Sequence, residues 1–427
     1  MKTYDLIGIG LGPFNLSLAA LLDETKNVNS LFLEKKESFS WHSEVMFKDS
    51  VMQTSFLKDL VTPISPTNPH SFLNYLVKKG LFYAHLNTER SSVTRREFEL
   101  YCQWVVENLN DKVSFSSEVT DLKFENNVFE ITSNGKTYHS KNICVGTGLT
   151  PWVPEFAQDQ ISATCFHGKS PNLNNLNLND KKVVVVGGGQ TGLEVFRNGF
   201  QGKWGKPKKI TLISRRHTLE PLDESPFTNE YFSPNYVNDF YKIDNSFKPA
   251  IVRHQRFASD GNTPQYLMDL YQELYELKHI HGEGKNIKIL PQRRAVNLET
   301  HGDTKRLTMF NFFTGETEQI DADVIIFCTG FKNLTPKCLD SISHLINFDS
   351  DKRFVINQNF GIDWKHSDTN KIYALNFGRH IHGIAEPQTS LMAWRSGMIV
   401  NDLLNEYYFP TENTKDNFTQ HGRYSDD

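Results

Sequence analysis

The chain has 427 residues, enough for two or three domains with cores of their own. Its 46 Lys+Arg against 50 Asp+Glu give a net charge of −4, which excludes nucleic acid or an anionic membrane as a partner held by charge. Five scattered cysteines without a C-x-x-C exclude a disulfide framework or structural zinc, and no apolar run approaches the roughly 18 residues of a membrane span. No basic leader precedes the first apolar run, so the expectation is a cytoplasmic protein.

In chain order, "YDLIGIG", "PFNLSLAALLDE" and "SLFLEKK" (4–36) read as strand, glycine turn, helix and strand, a βαβ unit. Residues 40–100 read as loop-rich, with three prolines in "TPISPTNPHS". "RREFELYCQWVVENL" (95–109) has helical spacing. Residues 113–148 read as short antiparallel strands with an "NGK" hairpin at 134–136. A Pro/Asn-rich connection leads to a second βαβ unit at 182–214. Residues 217–265 read as polar, aromatic and loop-rich, followed by a helix at 265–278, further strands, and a strand, loop and helix over 371–404.

The two βαβ units carry the first chemistry. Gly8, Gly10 and Gly12 permit a tight turn and close backbone approach to a pyrophosphate, and Pro13 takes the third glycine's place at the first helical position. Gly187, Gly189 and Gly192 in "GGGQTG", with Gln190 and Thr191 between them, have the standard spacing. Either turn alone is a weak signal; an apolar strand before and a helix after each raise it. Glu34, 26 residues after Gly8, suits ribose hydroxyls of an adenosine without a 2′-phosphate. The second unit ends instead in Ser214, Arg215 and Arg216, where two guanidinium groups would clamp a 2′-phosphate; the plain alternative is a solvated strand end. One turn suits FAD and the other NADPH. "CVGTG" (144–148) and "FCTGF" (327–331) read as strands that each return the chain to the flavin domain.

Taken with "FSWH" (39–42), "MQTSFLKDLVTPISPTNPHSFLNYL" (52–76), "LDESPFTNEYFSP" (222–234) and "HGIAEPQTSLMAWRS" (382–396), these motifs make the chain resemble the lysine/ornithine N-monooxygenases of siderophore biosynthesis. The resemblance runs from residue 4 to about 400. It implies an α/β fold of two Rossmann-like dinucleotide-binding domains, for FAD and NADPH, with a small substrate-binding region. The FAD domain would be discontinuous (1–165 and 325–415). The NADPH domain would be inserted (166–324), with 217–280 contributing to the substrate site, and 416–427 would be a disordered tail. The implied activity is N-hydroxylation of the terminal amine of L-lysine, or of cadaverine or putrescine, by O2 through a C4a-hydroperoxyflavin. The implied assembly is a homo-oligomer, dimer or tetramer.

The resemblance also assigns residues. Trp41, His42 and Met52 would pack near the flavin, with Gln53 hydrogen-bonding there or at NADP⁺ and Arg95 near the flavin or the NADPH phosphates. Lys58 would meet a substrate carboxylate and Asn229 the amino-acid head group. His382, Thr389, Ser390 and Leu391 would approach the flavin ring and the reacting amine. An ordinary reading stands beside several of these: a loop contact for Gln53, a surface lysine for Lys58, a satisfied loop histidine for His382. The "TNY" of ornithine enzymes is replaced by "FASDGNTP" (257–264), where Asp260 would meet an ammonium group or, the favoured reading, cap the next helix. Lys58 argues for lysine, because its cation and a diamine's free ammonium would repel by about 1–4 kcal/mol at ~4 Å. L-Ornithine and histamine remain alternative amines. A Baeyer–Villiger or sulfur-oxidising monooxygenase would share both glycine turns but not "FLKDLV".

Overall fold

The computed structural model describes residues 2–412 and 417–422, apart from 26, 49 and 303. β1 (Thr3–Ile9) and β2 (Ser30–Leu33) pair in parallel around the Pro13–Thr25 helix, as the first βαβ unit predicts. β3 (Val113–Ser114) adds to β2, again in parallel, where the sequence reading has an antiparallel strand. β4 (Val119–Glu125), β5 (Val128–Ser133) and β6 (Lys136–Val145) form an antiparallel meander. Asn134 and Gly135, both at positive φ, make the turn expected at "NGK". The sheet order is β3-β2-β1-β6-β5-β4. The Pro13–Thr25 helix is apolar almost all round because it is covered on every side: Leu16, Leu18, Ala19, Ala20, Leu21 and Leu22 have no exposure, and the Met392–Leu404 helix packs over it.

After β7 (Thr150–Pro151), the chain enters a second sheet through β8 (Cys165–His167), β9 (Lys182–Val186), β10 (Lys209–Ile213) and β11 (Ile287–Leu290). A three-stranded antiparallel sheet follows: β12 (Arg293–His301), β13 (Thr304–Asn311) and β14 (Thr317–Ala322). β15 (Val324–Phe327) then completes the second sheet in the order β11-β10-β9-β15-β8, all parallel. β9, β10 and β15 are buried on both faces, which is why "KVVVV" and "VIIF" read as unbroken apolar runs. β16 (Phe331–Lys332) pairs antiparallel with β7, so the two passages between the units run side by side. β17 (Ile372–Ala374) returns to the first sheet beside β6.

Three further expectations change. β15 lies beside β9, so "FCTGF" closes the second unit, and the boundary expected at 324/325 falls one strand early. Residues 217–265 are not loop-rich but carry short helices, Pro226–Asn229, Pro234–Lys242, Lys248–His254 and Phe257–Asp260. Two of these begin Ser-Pro: Ser225 and Ser233 cap the helix with their side chains and the proline occupies its first turn, a pattern that reads as a loop when taken by composition. Of the tail expected to be disordered, residues 417–422 are docked. The Glu230 carboxylate accepts the backbone N–H groups of Phe418 (3.0 Å) and Thr419 (2.8 Å), and Asn417 donates to Ser233 Oγ (2.7 Å). Residues 416 and 423–427 lie outside the described residues. Among the described residues no helix is long and apolar enough to cross a membrane, no cluster of side chains could hold a metal, and all five cysteines are free thiols.

Candidate active site

The first glycine turn follows β1. Gly10 sits at φ +83°, and a Cβ there would lie 2.8 Å from the Gly146 carbonyl, so only glycine fits. A Cβ on Gly12 would meet nothing within 4 Å, which leaves open space at the helix start beside Pro13. Glu34 is buried at the end of β2, its carboxylate accepting from the backbone N–H groups of Leu11 (2.7 Å) and Lys36 (2.9 Å). Each of its oxygens keeps a second lone pair for a ribose hydroxyl. Asn15 donates to the Gly10 carbonyl at 2.6 Å, while its Oδ1 and the Ser390 hydroxyl are buried without a hydrogen-bond partner among the described residues. An open cradle, a ribose acceptor and unpartnered buried oxygens fit FAD.

The second turn is built the same way. Gly187 sits at φ +135°, where a Cβ would lie 2.1 Å from the Cys328 carbonyl oxygen, and a Cβ on Gly192 would lie 1.9 Å from the Gly187 carbonyl. Gly189 heads the Gln190–Phe200 helix with no side-chain cap, so first-turn N–H groups face outward. At the end of β10, Ser214 is buried and its Oγ accepts from the Arg216 N–H. The two arginines behave differently. Arg216 donates to the Asp260 carbonyl at 2.7 Å and lies 3.7 Å from Glu220, whereas Arg215 is exposed and has no ion pair among the described residues. Arg216 still keeps its Nη1 without a hydrogen-bond partner among the described residues, so both arginines of the expected clamp retain donors and Arg215 is the freer of the two. Arg215→Ala is expected to raise the KM for NADPH by ~10- to 100-fold and to leave that for NADH nearly unchanged, the loss of one charge-assisted contact; initial rates with both nucleotides check this.

Between the two units lies a cleft of about 210 Å³. It brings together Trp41, His42, Met52, Gln53, Arg95, Thr191 and Thr389 from four separate stretches of sequence. Trp41 packs on His42 (4.4 Å between ring centroids) and edge-on to Phe98 (5.3 Å). His42, at φ 56°, is held neutral: burial, with Lys169, Arg95 and Lys36 nearby, drives its pKa well below the usual imidazole value. Gln53 reaches Thr263 Oγ1 at 3.4 Å, and Gln190 accepts from the Thr263 N–H at 3.2 Å. Arg95 lines the cleft with its guanidinium held bidentately by Glu194, which has no exposure, at 3.0 and 3.1 Å.

The sequence reading missed Glu194 and Lys169. Lys169 lines the cleft opposite Glu44, 3.4 Å away, and burial lowers its pKa to about 8 against the opposing pull of Glu44. The available signals were a glutamate inside the apolar helix "GLEVF" and a lysine directly after the strand "CFHG". Phe331 and Pro387 supply apolar wall.

Other expected site residues stand apart from the cleft. His382 is 1% exposed, packed between the rings of Phe360 (4.4 Å) and Tyr241 (5.6 Å), and burial, then Arg395 and Lys248, lowers its pKa to about 3. Its expected approach to the amine is thus replaced by a place inside an aromatic stack. Ser390 and Leu391 are buried at the head of the last helix, beside Thr389, which does reach the cleft. Asn229 is exposed, its amide 3.4 Å from the Glu224 carbonyl. Asp260 does not cap the next helix, whose N-cap is Thr263; its carboxylate pairs with Arg379 at 3.1 Å across the two units. Lys58 is half-buried four residues beyond Thr54 in the cleft wall. It has no ion pair among the described residues, and burial lowers its pKa.

Residues 2–333 match the family model for L-lysine 6-monooxygenase/L-ornithine 5-monooxygenase. The chain is 38% identical over 410 residues to the L-lysine N6-monooxygenase of Escherichia coli, covering 96% of each. It is 31% identical over 428 residues to the putrescine N-hydroxylase of Acinetobacter baumannii, covering 96% of this chain and 92% of that one. Among solved structures it is similar to the ornithine N-hydroxylase of Kutzneria sp. 744 with reduced FAD, NADP⁺ and L-ornithine. The TM-score there is 0.88 at 27% identity, covering 95% of this chain and 99% of that one.

Proposed function

The chain belongs to the L-lysine 6-monooxygenase/L-ornithine 5-monooxygenase family, and from that premise we propose that it hydroxylates the N6 amine of L-lysine. It is a flavin N-monooxygenase that uses FAD and NADPH. When bound, the flavin reduced by NADPH supplies the oxygen chemistry. The protein's own residues bind the substrate, orient it and keep water out.

The observation that carries lysine over a diamine is Lys58. A half-buried ammonium without an acidic partner costs free energy, and a substrate carboxylate relieves that cost where a second ammonium would add to it. Lys58 is the cation here without an acidic partner among the described residues, and a positive charge near the incoming alkylammonium lowers its pKa from about 10.4 and favours the neutral amine. Trp41, Met52, Phe331 and Pro387 give the cleft apolar walls, and Gln53 and Thr389 are its orienting groups. The reading extends to a hydroxylamine product for hydroxamate siderophore assembly and to a cytoplasmic enzyme, supported by its NADPH use and free thiols. A homo-oligomer is supported by exposed Met268, Tyr271 and Tyr275 along one helix.

The test is hydroxylamine formed per NADPH consumed by the FAD-loaded enzyme in air, with L-lysine, L-ornithine, cadaverine, putrescine and histamine offered separately. L-Lysine is expected to approach one for one while the others mainly release peroxide. Tight coupling to cadaverine or putrescine, with uncoupled oxidation on lysine, overturns the lysine assignment and leaves the enzyme class standing.

A further inference from the structure

Lys169 has a place in the molecule that the activity has not yet used. It follows β8, the edge strand of the second sheet, and its backbone is pinned there. The Gly168 N–H donates to the Phe327 carbonyl at 2.8 Å, and the Lys169 N–H donates to His167 Nδ1 at 3.1 Å. A Cβ on Gly168 would lie 3.0 Å from Cys328 Sγ and 3.8 Å from Thr191 Cγ2, so Lys169 springs from beside the first turn of the Gln190–Phe200 helix. That turn is the uncapped end of the second glycine motif. The Lys169 side chain is 15% exposed and faces the cleft that Thr191 also lines.

Its partner, Glu44, comes from the first unit. The Nζ–Oε2 distance of 3.4 Å exceeds the ~2.7–2.9 Å of a strong charge-assisted bond. An ammonium has three donors, and Glu44 is its one acceptor among the described residues. Glu44 has a nearer partner in the Ser43 hydroxyl at 2.9 Å. The lysine is thus a loosely held cation beside an anion-binding helix end.

We propose that Lys169 is a nicotinamide-dinucleotide contact that exchanges Glu44 for the anionic pyrophosphate of the bound nucleotide. This rests on the NADPH reading of the second glycine turn. It makes opposite demands on the two members of the pair: Lys169 binds the nucleotide, and Glu44 competes with it.

The test is calorimetric titration of the FAD-loaded enzyme with NADP⁺, without substrate or turnover, for wild type, Lys169→Met, Lys169→Arg, Glu44→Gln and Arg215→Ala. Lys169→Met is expected to weaken NADP⁺ by ~10-fold or more and Lys169→Arg by less than ~3-fold, as for loss or retention of one charge-assisted contact. Glu44→Gln is expected to bind NADP⁺ at least as tightly as wild type. Equal weakening by Lys169→Met and Glu44→Gln means a structural ion pair and overturns the proposal, as does an unchanged Kd in Lys169→Met. Wild-type binding weakened by Arg215→Ala keeps the nucleotide reading intact in each of those cases. If wild type does not bind NADP⁺, that reading falls and this proposal with it.

Discussion

Lys58→Met is expected to raise the KM for L-lysine by ~10- to 150-fold and leave kcat/KM for cadaverine unchanged or higher, because one charge-assisted contact to a carboxylate is worth ~1.5–3 kcal/mol and a diamine has no carboxylate to lose. Methionine retains the apolar stem that Lys58 buries, so the change tests charge and not packing. Initial rates across lysine concentrations decide it. L-Lysine should also raise the melting temperature of the wild type and not of the variant. A KM for L-lysine within about twofold of wild type sinks the carboxylate role, whatever the stability of the variant.

The two glycine turns were legible because each is a local device. Strand, glycines and helix occupy adjacent sequence, and the positive φ of Gly10 and Gly187 records a steric demand that sequence can carry. Glu34 and the Ser214–Arg216 run were legible for the same reason. The cleft was less so, since its walls come from 41–54, 95, 169–191, 331 and 387–389, and only the resemblance drew most of them together. What neither route supplied is which charges pair. Arg95 reads as a residue near the flavin or the NADPH phosphates with no sign that Glu194 holds it, and Asp260 reads as a helix cap until Arg379 arrives from 119 residues away. Such contacts depend on how the units sit together, which no local spacing encodes. His382 is the same lesson reversed: a histidine in a functional motif, placed by packing inside an aromatic stack.

Buried histidines make the fold acid-labile, and the size of the effect follows from two of them. His167 is 7% exposed, and burial lowers its pKa to about 4. Its neutral form is written into the hydrogen bonds: Nε2 donates to the Gly330 carbonyl at 3.1 Å, and Nδ1 accepts the Lys169 N–H at 3.1 Å, which a second ring proton would prevent. His382 lies at about 3. In the unfolded chain both titrate near 6.5. Between that value and about 4, the unfolded state binds protons that the folded state does not. Stability therefore rises with pH through this window and is lost as pH falls through it. At about pH 5 each histidine costs ~2 kcal/mol, so the pair costs ~4 kcal/mol of a stability of order 5–15. Asp59 and Glu386, pushed up by burial, act in the opposite direction. Denaturant unfolding at pH 7.5 and pH 5.0 is expected to show a drop of at least ~2 kcal/mol. His382→Leu, which cannot take up the proton, is expected to shrink that drop by ~2 kcal/mol while keeping the cleft intact. A wild-type difference below ~1 kcal/mol, or an unchanged difference in the variant, means that His382 protonates readily in the folded state and is not sealed by Phe360 and Tyr241.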